Sequence, residues 1–576
     1  MKNGAELLVE ALAHHGVDTV FGFPGDTSIA LYDVLGRREH GVGHVLVRDE
    51  RHAGFMADAY TRTTRRIGVC EASSGAGAVY LASGLAEAFA SSIPLLVITT
   101  DNSRRSHGTA AISEIDQSQL FSACTKWRRV ADRTADIPDL VAQAVAAATE
   151  GRPGPVALIF PEDVLEGVVE NDRATPPRRP ATTAVPGQRP SAPVATVREA
   201  ANRLAAARNP VVVAGGGSHL SGAASELTLL AEHLGMPVGT SIHGKGVIDE
   251  AHPLALGVVG SNGARDYANA WVAAADLVLF VGTRANATDT LSFTVPARDG
   301  ASILHIEADG ERAGRNYPGS TALVGDARTV LGQLRAELHE APDSLRAERE
   351  ARLAAARRAW LLADAPRVPQ DPDFEVFPPA EIITALGKAF GRDTWVVADA
   401  GTPTPYLSCF WEAPGGDWRV VIPRGHGPMG YAVPAAVGIA VGHPGERVLC
   451  LTTENSLAMA VGEWETAARL ELPITYVVLD NTSLAWIKMI QHLYAGSRYF
   501  AVDPGPLDPV HLGRGMGIEG ARARSLEEFA DLAVAAASAP GPSLIHALVP
   551  EHMDAPPPVP AWHSALSGEV TARPIH

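Results

Sequence analysis

Three segments place polar side chains where a run of strand-forming residues stops. In VRDERHAGFMADAYTR, Glu50 follows the strand-like residues up to Arg48 and precedes a helical stretch of small residues, Ala53, Gly54, Ala57 and Ala59. A carboxyl there is a candidate for proton transfer; the competing reading is an ordinary acid in a first helical turn, favoured by the helix dipole. In LTTENSLAMAVGEWETAARLELPITYVVLDN, one strand ends in Glu454-Asn455-Ser456 and the next in Asp480-Asn481. Glu454 and Asn481 lie 27 positions apart, one helix plus one strand, so both return to the same sheet edge. A carboxylate and an amide oxygen are donors that a hard divalent cation such as magnesium takes, commonly shared with a phosphate. Two loops that merely share an edge remain the alternative. In PRGHGPMGYAVPAAVG (Pro423–Gly438), Gly and Pro punctuate a loop that carries His426 and Gly427 and sets Met429 before a helix. A lone Met is usually core filling.

The elements that must position these residues alternate short β-branched runs with Ala/Leu-rich stretches of helical period, the pattern of parallel sheets covered by helices. Ligands of open parallel sheets sit outside the carboxyl ends of the strands, which is where Glu50, Glu454 and Asn481 fall. The expected fold class is α/β, with three doubly wound parallel-sheet domains. The first spans residues 1–170, with strands in DTVFGF, HVLVRD, RIGVCEA, PLLVITT and PVALIF. A linker from Asn171 to Pro193 holds six prolines, a density that neither helix nor central strand tolerates. The central domain spans 195–340 and opens with NPVVVAGGG, whose glycine triplet is read either as a nucleotide-binding turn or as a plain tight turn. A charged helix over Ser344–Leu362 and a Pro-rich segment over Pro366–Pro379 lead to the third domain, 376–556, with strands in WVVADAG, RVLCLTT, ITYVVLDN and SLIHALV. The closing residues DAPPPVPAWHSALSGEVTARPIH have no period and predict an irregular tail.

Composition narrows the function classes. With 576 residues, 46% hydrophobic and 20% charged, the chain is a multidomain globular protein. A formal net charge of −17 without a long Lys/Arg run argues against binding to nucleic acid or an anionic membrane and favours small-molecule chemistry. Four scattered cysteines (Cys70, Cys124, Cys409, Cys450) form neither a disulfide framework nor a metal clip and read as buried thiols in a reducing cytoplasm. No apolar run reaches the length of a membrane span.

Taken in order, GVDTVFGFPG, VRDERHAGFMADAYTR, SSGAGAVYLASGLAEAFASSIPLLVIT, GRPGPVALIFPEDV, HGKGVIDEAHPLALGVVGSNG, GPMGYAVPAAVG and the Glu454–Asn481 block resemble the thiamine diphosphate-dependent superfamily of acetolactate synthase, pyruvate oxidase and benzoylformate decarboxylase, over nearly the whole chain. The resemblance implies a pyrimidine-binding domain, a central domain and a diphosphate-binding domain, with the cofactor between the first domain of one subunit and the third of another, hence a homodimer or homotetramer. By the same matching, Glu50 is the glutamate that bonds the aminopyrimidine and promotes its imino tautomer, and its partly apolar surroundings should raise its pKa. Glu454, Asn481 and the carbonyl of Ser483 fall on the Mg2+ ligands. Asn455 and Ser456 fall on the diphosphate turn, Gly401 and Thr402 on a second diphosphate loop, and Met429, after Gly427, on the residue that props the cofactor bent. Pro24, Gly25, Ser74, Gly75 and Gly77 lie at the pyrimidine end.

The chain also departs from the family pattern. Thr453-Glu454-Asn455 stands where the family has Gly-Asp-Gly, which lengthens the acid and restricts the backbone beside the phosphate. Ile112 and Ser113 replace a Phe-Gln pair beside the reacting carbon, and Tyr80 replaces an Asn. Glu71 and His426 fall near positions that are reactive in some relatives and are candidate proton donors, set against plain structural roles. Arg284 is kept, but the acidic pair that accompanies flavin is not, so FAD is disfavoured beside an adenine nucleotide or an empty central domain. Three functions follow from the resemblance: a carboligase resembling acetolactate synthase, joining an acyl unit from a 2-keto acid to an acceptor with loss of carbon dioxide; a non-oxidative 2-keto acid decarboxylase; or a non-catalytic paralogue with a degenerate cofactor motif.

Overall fold

Short Val/Ile/Leu runs buried on both faces need helices above and below them, and the computed structural model shows three such sheets of six parallel strands each. The structure describes residues 1–37, 39–170, 182–263, 265–362 and 376–568. They divide into two compact units. The first comprises Met1–Gln188, Pro423–Gly445 and Ala460–Leu472; the second comprises Arg189–Ile422, Glu446–Met459 and Pro473–His576.

The first unit contains β1 (Lys2–Asn3), β2 (Thr19–Phe23), β3 (Gly43–Leu46), β4 (Gly68–Ala72), β5 (Leu95–Asp101), β6 (Trp127–Val130), β7 (Val156–Pro161) and β8 (Val168–Val169). Its sheet runs β3-β2-β4-β5-β7-β6, and β1 pairs antiparallel with β8. The sixth strand, β6, is absent from the sequence reading because WRRV carries two arginines; as an edge strand it is half-buried to exposed and tolerates them. The helix Glu50–Thr64 is buried along almost its whole length between the helices Ala76–Ser91 and Ala432–Gly442, all of this unit. Its small residues explain the tight packing: a β-carbon on Gly84 would lie 2.3 Å from the Arg51 carbonyl oxygen, so only glycine fits at that crossing.

The second unit holds two sheets. In the first, β9 (Pro210–Ala214), β10 (Val238–Thr240), β11 (Ala255–Val258), β12 (Leu277–Val281), β13 (Ser302–Glu307) and β14 (Thr321–Val324) run in the order β11-β10-β9-β12-β13-β14. The Gly215–Gly217 triplet lies against the turn after β12, where a β-carbon on Gly215 would be 2.5 Å from the Gly282 oxygen; a tight approach of two backbones accounts for these glycines. In the second sheet, β15 (Trp395–Ala398), β16 (Val420–Val421), β17 (Val448–Thr453), β18 (Ile474–Asp480), β19 (Glu519–Arg522) and β20 (Ser543–Leu548) run in the order β16-β15-β17-β18-β20-β19.

The expected irregular tail is corrected in part. Residues Pro560–Leu566 form a helix opened by Pro560, with Trp562 buried against Met489 in a small cluster. Proline is preorganised for a first helical turn, and the aromatic anchor supplies burial that no periodicity in the segment advertised. The linker's residues 171–181, most of the segment 366–379 and the last residues of the tail, 569–576, lie outside the described residues. Among the described residues, no helix is long and apolar enough to cross a membrane.

Candidate active site

In the first unit, the ends of β3, β2 and β4 bring the predicted pyrimidine-end residues together. Glu50 is the first residue of its helix, capped by Asp49, whose side chain accepts the Arg51 N–H at 2.9 Å. Glu50 is half-buried, and that burial, with Asp49 nearby, raises its pKa above the ordinary carboxyl value. A β-carbon at Gly77 would lie 3.1 Å from Glu50 Oε1 and 3.0 Å from Ser73 Oγ, so the glycine leaves that carboxylate oxygen room. Gly25 lies against Ser73, and Ser74 donates its N–H to Thr27 Oγ1 at 3.2 Å. Pro24 stays exposed beside them. Ser113, with a positive φ of 69°, packs against Gly75, while Ile112 is 85% exposed.

Glu71 projects from β4 and is fully buried. Burial pushes its pKa up to about 8, and the Glu50 carboxyl adds to the rise, while a 2.6 Å hydrogen bond from the Tyr32 hydroxyl opposes it. Tyr32 also meets His44 Nε2 at 3.0 Å, and burial lowers that imidazole's pKa to about 4. The edge therefore carries two neighbouring carboxyl groups that both favour the protonated form more than a free carboxyl does.

In the second unit, β17 and β18 are parallel neighbours, in register from Val448 with Ile474 to Thr453 with Leu479. Glu454 and Asn481 thus emerge side by side, both buried. Burial drives the Glu454 pKa up to about 8, reinforced by Asp480 and opposed by the peptide groups of Asn481 and Ser483. Asn481 Nδ2 donates to Thr402 Oγ1 at 3.3 Å, and Thr402 meets His552 Nε2 at 3.0 Å. Gly401, at φ 120°, precedes them. Glu454 Oε2, Ser456 Oγ and Ser483 Oγ are buried and find no hydrogen-bond partner among the described residues. Buried polar atoms are costly without partners, so three of them at one sheet edge fit a ligand of hard-cation and phosphate chemistry. Asn455 does not point at open space: its Nδ2 donates to Glu454 Oε1 at 2.7 Å and to the Ser483 carbonyl at 3.1 Å.

Sequence reasoning missed two clamps, both within the first unit. The Glu87 carboxylate accepts the N–H groups of Gly425 (3.0 Å), His426 (2.7 Å) and Gly427 (3.1 Å), and thereby holds the loop that ends at Met429; His426 itself is exposed and Met429 half-buried. Glu87 is also bonded by Arg62, which pairs with Asp58, and Asp58 in turn accepts the Tyr431 hydroxyl at 2.6 Å. Conversely, Glu463 accepts the Arg48 N–H at 2.8 Å and bonds His52 Nδ1 at 2.9 Å, gripping the chain on both sides of Glu50. The signal available in the sequence was only an acid amid Ala-rich helix. His552 was also missed; burial keeps it neutral by lowering its pKa to about 3, and it meets the site through Thr402 and packs edge-on against Trp486.

This geometry agrees with the likeness to known proteins. The chain matches the family models described as the thiamine pyrophosphate enzyme N-terminal TPP binding domain over residues 2–120, central domain over 197–334 and C-terminal TPP binding domain over 399–547. It is 31% identical over 576 residues to an acetolactate synthase of Arthrospira platensis, covering 97% of this chain and 96% of that protein. It is 32% identical over 518 residues to the acetolactate synthase isozyme 3 large subunit of Escherichia coli (strain K12), covering 87% and 86%. The fold is similar to that of a benzoylformate decarboxylase from Polynucleobacter necessarius, with a TM-score of 0.81 at 20% identity, covering 96% and 99%. With all three domains matched in order and a relative alike over nearly its full length, this chain belongs to the thiamine pyrophosphate-dependent enzymes.

Proposed function

We propose that the chain is a carboligase resembling acetolactate synthase, dependent on thiamine diphosphate and Mg2+, which takes an acyl unit from a 2-keto acid with loss of carbon dioxide and transfers it to an acceptor carbonyl. The observation that carries the cofactor assignment is the trio of unpartnered buried oxygens on Glu454, Ser456 and Ser483. The likeness to acetolactate synthases over nearly the whole chain supports carboligation over simple decarboxylation. In this reading Glu454, Asn481 and the Ser483 carbonyl hold Mg2+, Ser456, Gly401 and Thr402 hold the diphosphate, and Pro24, Gly25, Ser74 and Gly75 flank the pyrimidine. Bound thiamine diphosphate supplies a nucleophilic carbon and an electron sink for decarboxylation.

The chain's own groups then have defined tasks. Glu50, with its pKa raised by burial, gives and takes a proton at its carboxylate. Glu71, protonated at pH 7, keeps a second proton beside it and limits the charge on that edge. Glu463 and Glu87 orient the two loops. Ser113, packed against Gly75, and the exposed His426 are the candidates for meeting substrate polar groups. Decarboxylation with acyl transfer is redox-neutral overall, so the proposed reaction requires no FAD in the central domain. The exposed apolar side chains Phe23, Ile29, Tyr80 and Ile112 around the Glu50 edge support a homodimer or homotetramer. Four free, buried thiols are compatible with a reducing cytoplasm.

The test is product analysis with 2-keto acids, with and without an added acceptor. Formation of a hydroxyketone by the wild type and its loss in Glu50→Gln, with Mg2+-dependent cofactor binding retained, is the expected result. Aldehyde as the sole product would move the assignment to a decarboxylase, and no cofactor binding at millimolar concentration would leave a non-catalytic paralogue.

A further inference from the structure

The Asn455 amide occupies an unusual place. Its Nδ2 lies 2.7 Å from Glu454 Oε1 and 3.1 Å from the Ser483 carbonyl oxygen, so one NH2 group bridges a carboxyl and a peptide carbonyl. The Ser483 carbonyl oxygen and the Glu454 carboxyl are both assigned to the cation by the reading above; the amide takes Oε1 of that carboxyl and leaves Oε2 without a partner among the described residues. A divalent cation such as Mg2+ approaches oxygens at about 2.0–2.1 Å and fills the space between them, which an amide nitrogen bonded to both oxygens already takes. Glu454 and Ser483 are buried, whereas Asn455 is only half-buried, so it is the member of the trio with room to swing outward.

We propose that Asn455 is a built-in plug of the cation pocket: its amide bonds Glu454 and the Ser483 carbonyl when no cation is held and must rotate away before a divalent cation enters. This inference rests on the cation assignment made above. The plug answers the departure at position 455, where a glycine would leave the pocket open. The side chain competes with the cation for the same two acceptors without being a ligand itself. A cation arriving alone must replace both amide hydrogen bonds. One arriving with a diphosphate gains additional oxygen ligands that offset that loss, so the plug makes loading depend on the diphosphate and disfavours retention of a free cation.

The test measures binding of Mn2+ alone to the full-length protein, by electron paramagnetic resonance of free Mn2+ and by calorimetry, with no thiamine compound present. Asn455→Ala should tighten Mn2+ binding about tenfold, equivalent to about 1.4 kcal/mol and close to the upper end of the net worth of one ordinary hydrogen bond. Asn455→Gly serves as a second variant, and far-UV circular dichroism with thermal melting verifies that both are folded. Adding Glu454→Gln to either variant should abolish the gain. Unchanged or weaker Mn2+ binding by both Asn455 variants overturns the plug; weaker binding would make Asn455 a ligand through its Oδ1. If Glu454→Gln alone abolishes Mn2+ binding in that case, the cation assignment survives the failure of the plug. If Glu454→Gln leaves Mn2+ binding intact, the assignment and the plug fail together.

Discussion

Replacing Glu87 with Gln tests whether the loop leading to Met429 is held by a buried acid. The two oxygens share at least five donors: Oε1 accepts from Arg62, Ser91 and the Gly425 N–H, and Oε2 from the N–H groups of His426 and Gly427. A glutamine must set its NH2 against one group or the other. Even in the better orientation, the His426 and Gly427 donors face another donor, or Arg62 and Gly425 do. Leaving a buried donor unsatisfied costs about 1–3 kcal/mol, so two of them predict a loss of roughly 3 kcal/mol. Because Arg62 also loses a charged partner, Glu87→Ala should cost more, about 3–5 kcal/mol. Urea denaturation followed by fluorescence reads the stability, and titration with thiamine diphosphate and Mg2+ reads the loop, where affinity should fall at least about tenfold if the freed loop no longer presents Met429. A Glu87→Gln protein within about 1 kcal/mol of wild type, with undiminished cofactor affinity, would refute the clamp.

Two further predictions follow from buried ionisable groups. Glu71 has a folded pKa near 8, above its unfolded value of 4.5, so the folded state binds more protons between those values and its contribution to stability declines as pH rises from about 4.5 to about 8. At about 1.4 kcal/mol per pKa unit, Glu71→Gln should gain several kcal/mol relative to wild type on going from pH 5 to pH 8, and parallel pH–stability curves for the two proteins would contradict this. In the second unit, Lys245 is fully buried 2.6 Å from Glu250, so Lys245→Met strands a buried acid and should cost about 3–5 kcal/mol, whereas Lys245→Met with Glu250→Leu should recover most of it; a double variant no more stable than the single one in thermal unfolding would count against the pairing.

What was legible in the sequence was whatever short-range patterning encodes. Hydrophobic runs ending in acid or amide residues placed Glu50, Glu454 and Asn481 at strand ends, because a parallel strand must stop being apolar where it leaves the core. Proline density located the linkers, and the small residues after Glu50 announced a helix that lies close to others. Less legible were segments whose order comes from distant partners. Strand β6 hides behind two arginines that its edge position exposes, and the helix Pro560–Leu566 exists because Trp562 finds a cluster more than sixty residues away in sequence.

Only the tertiary structure decided which groups share a proton, which hold a loop and which fill a pocket. Glu71, Glu87 and Glu463 are each one acid among many in the sequence, and what separates them is the removal of water around them and the donors that burial brings within 3 Å. Asn455 read as a departure from glycine that restricts the backbone of a phosphate turn, yet in the fold its amide reaches the Glu454 carboxyl and the Ser483 carbonyl. Sequence spacing specifies which strand end a side chain leaves from; its protonation and its partner depend on desolvation and on contacts made across hundreds of residues, which only the folded chain creates.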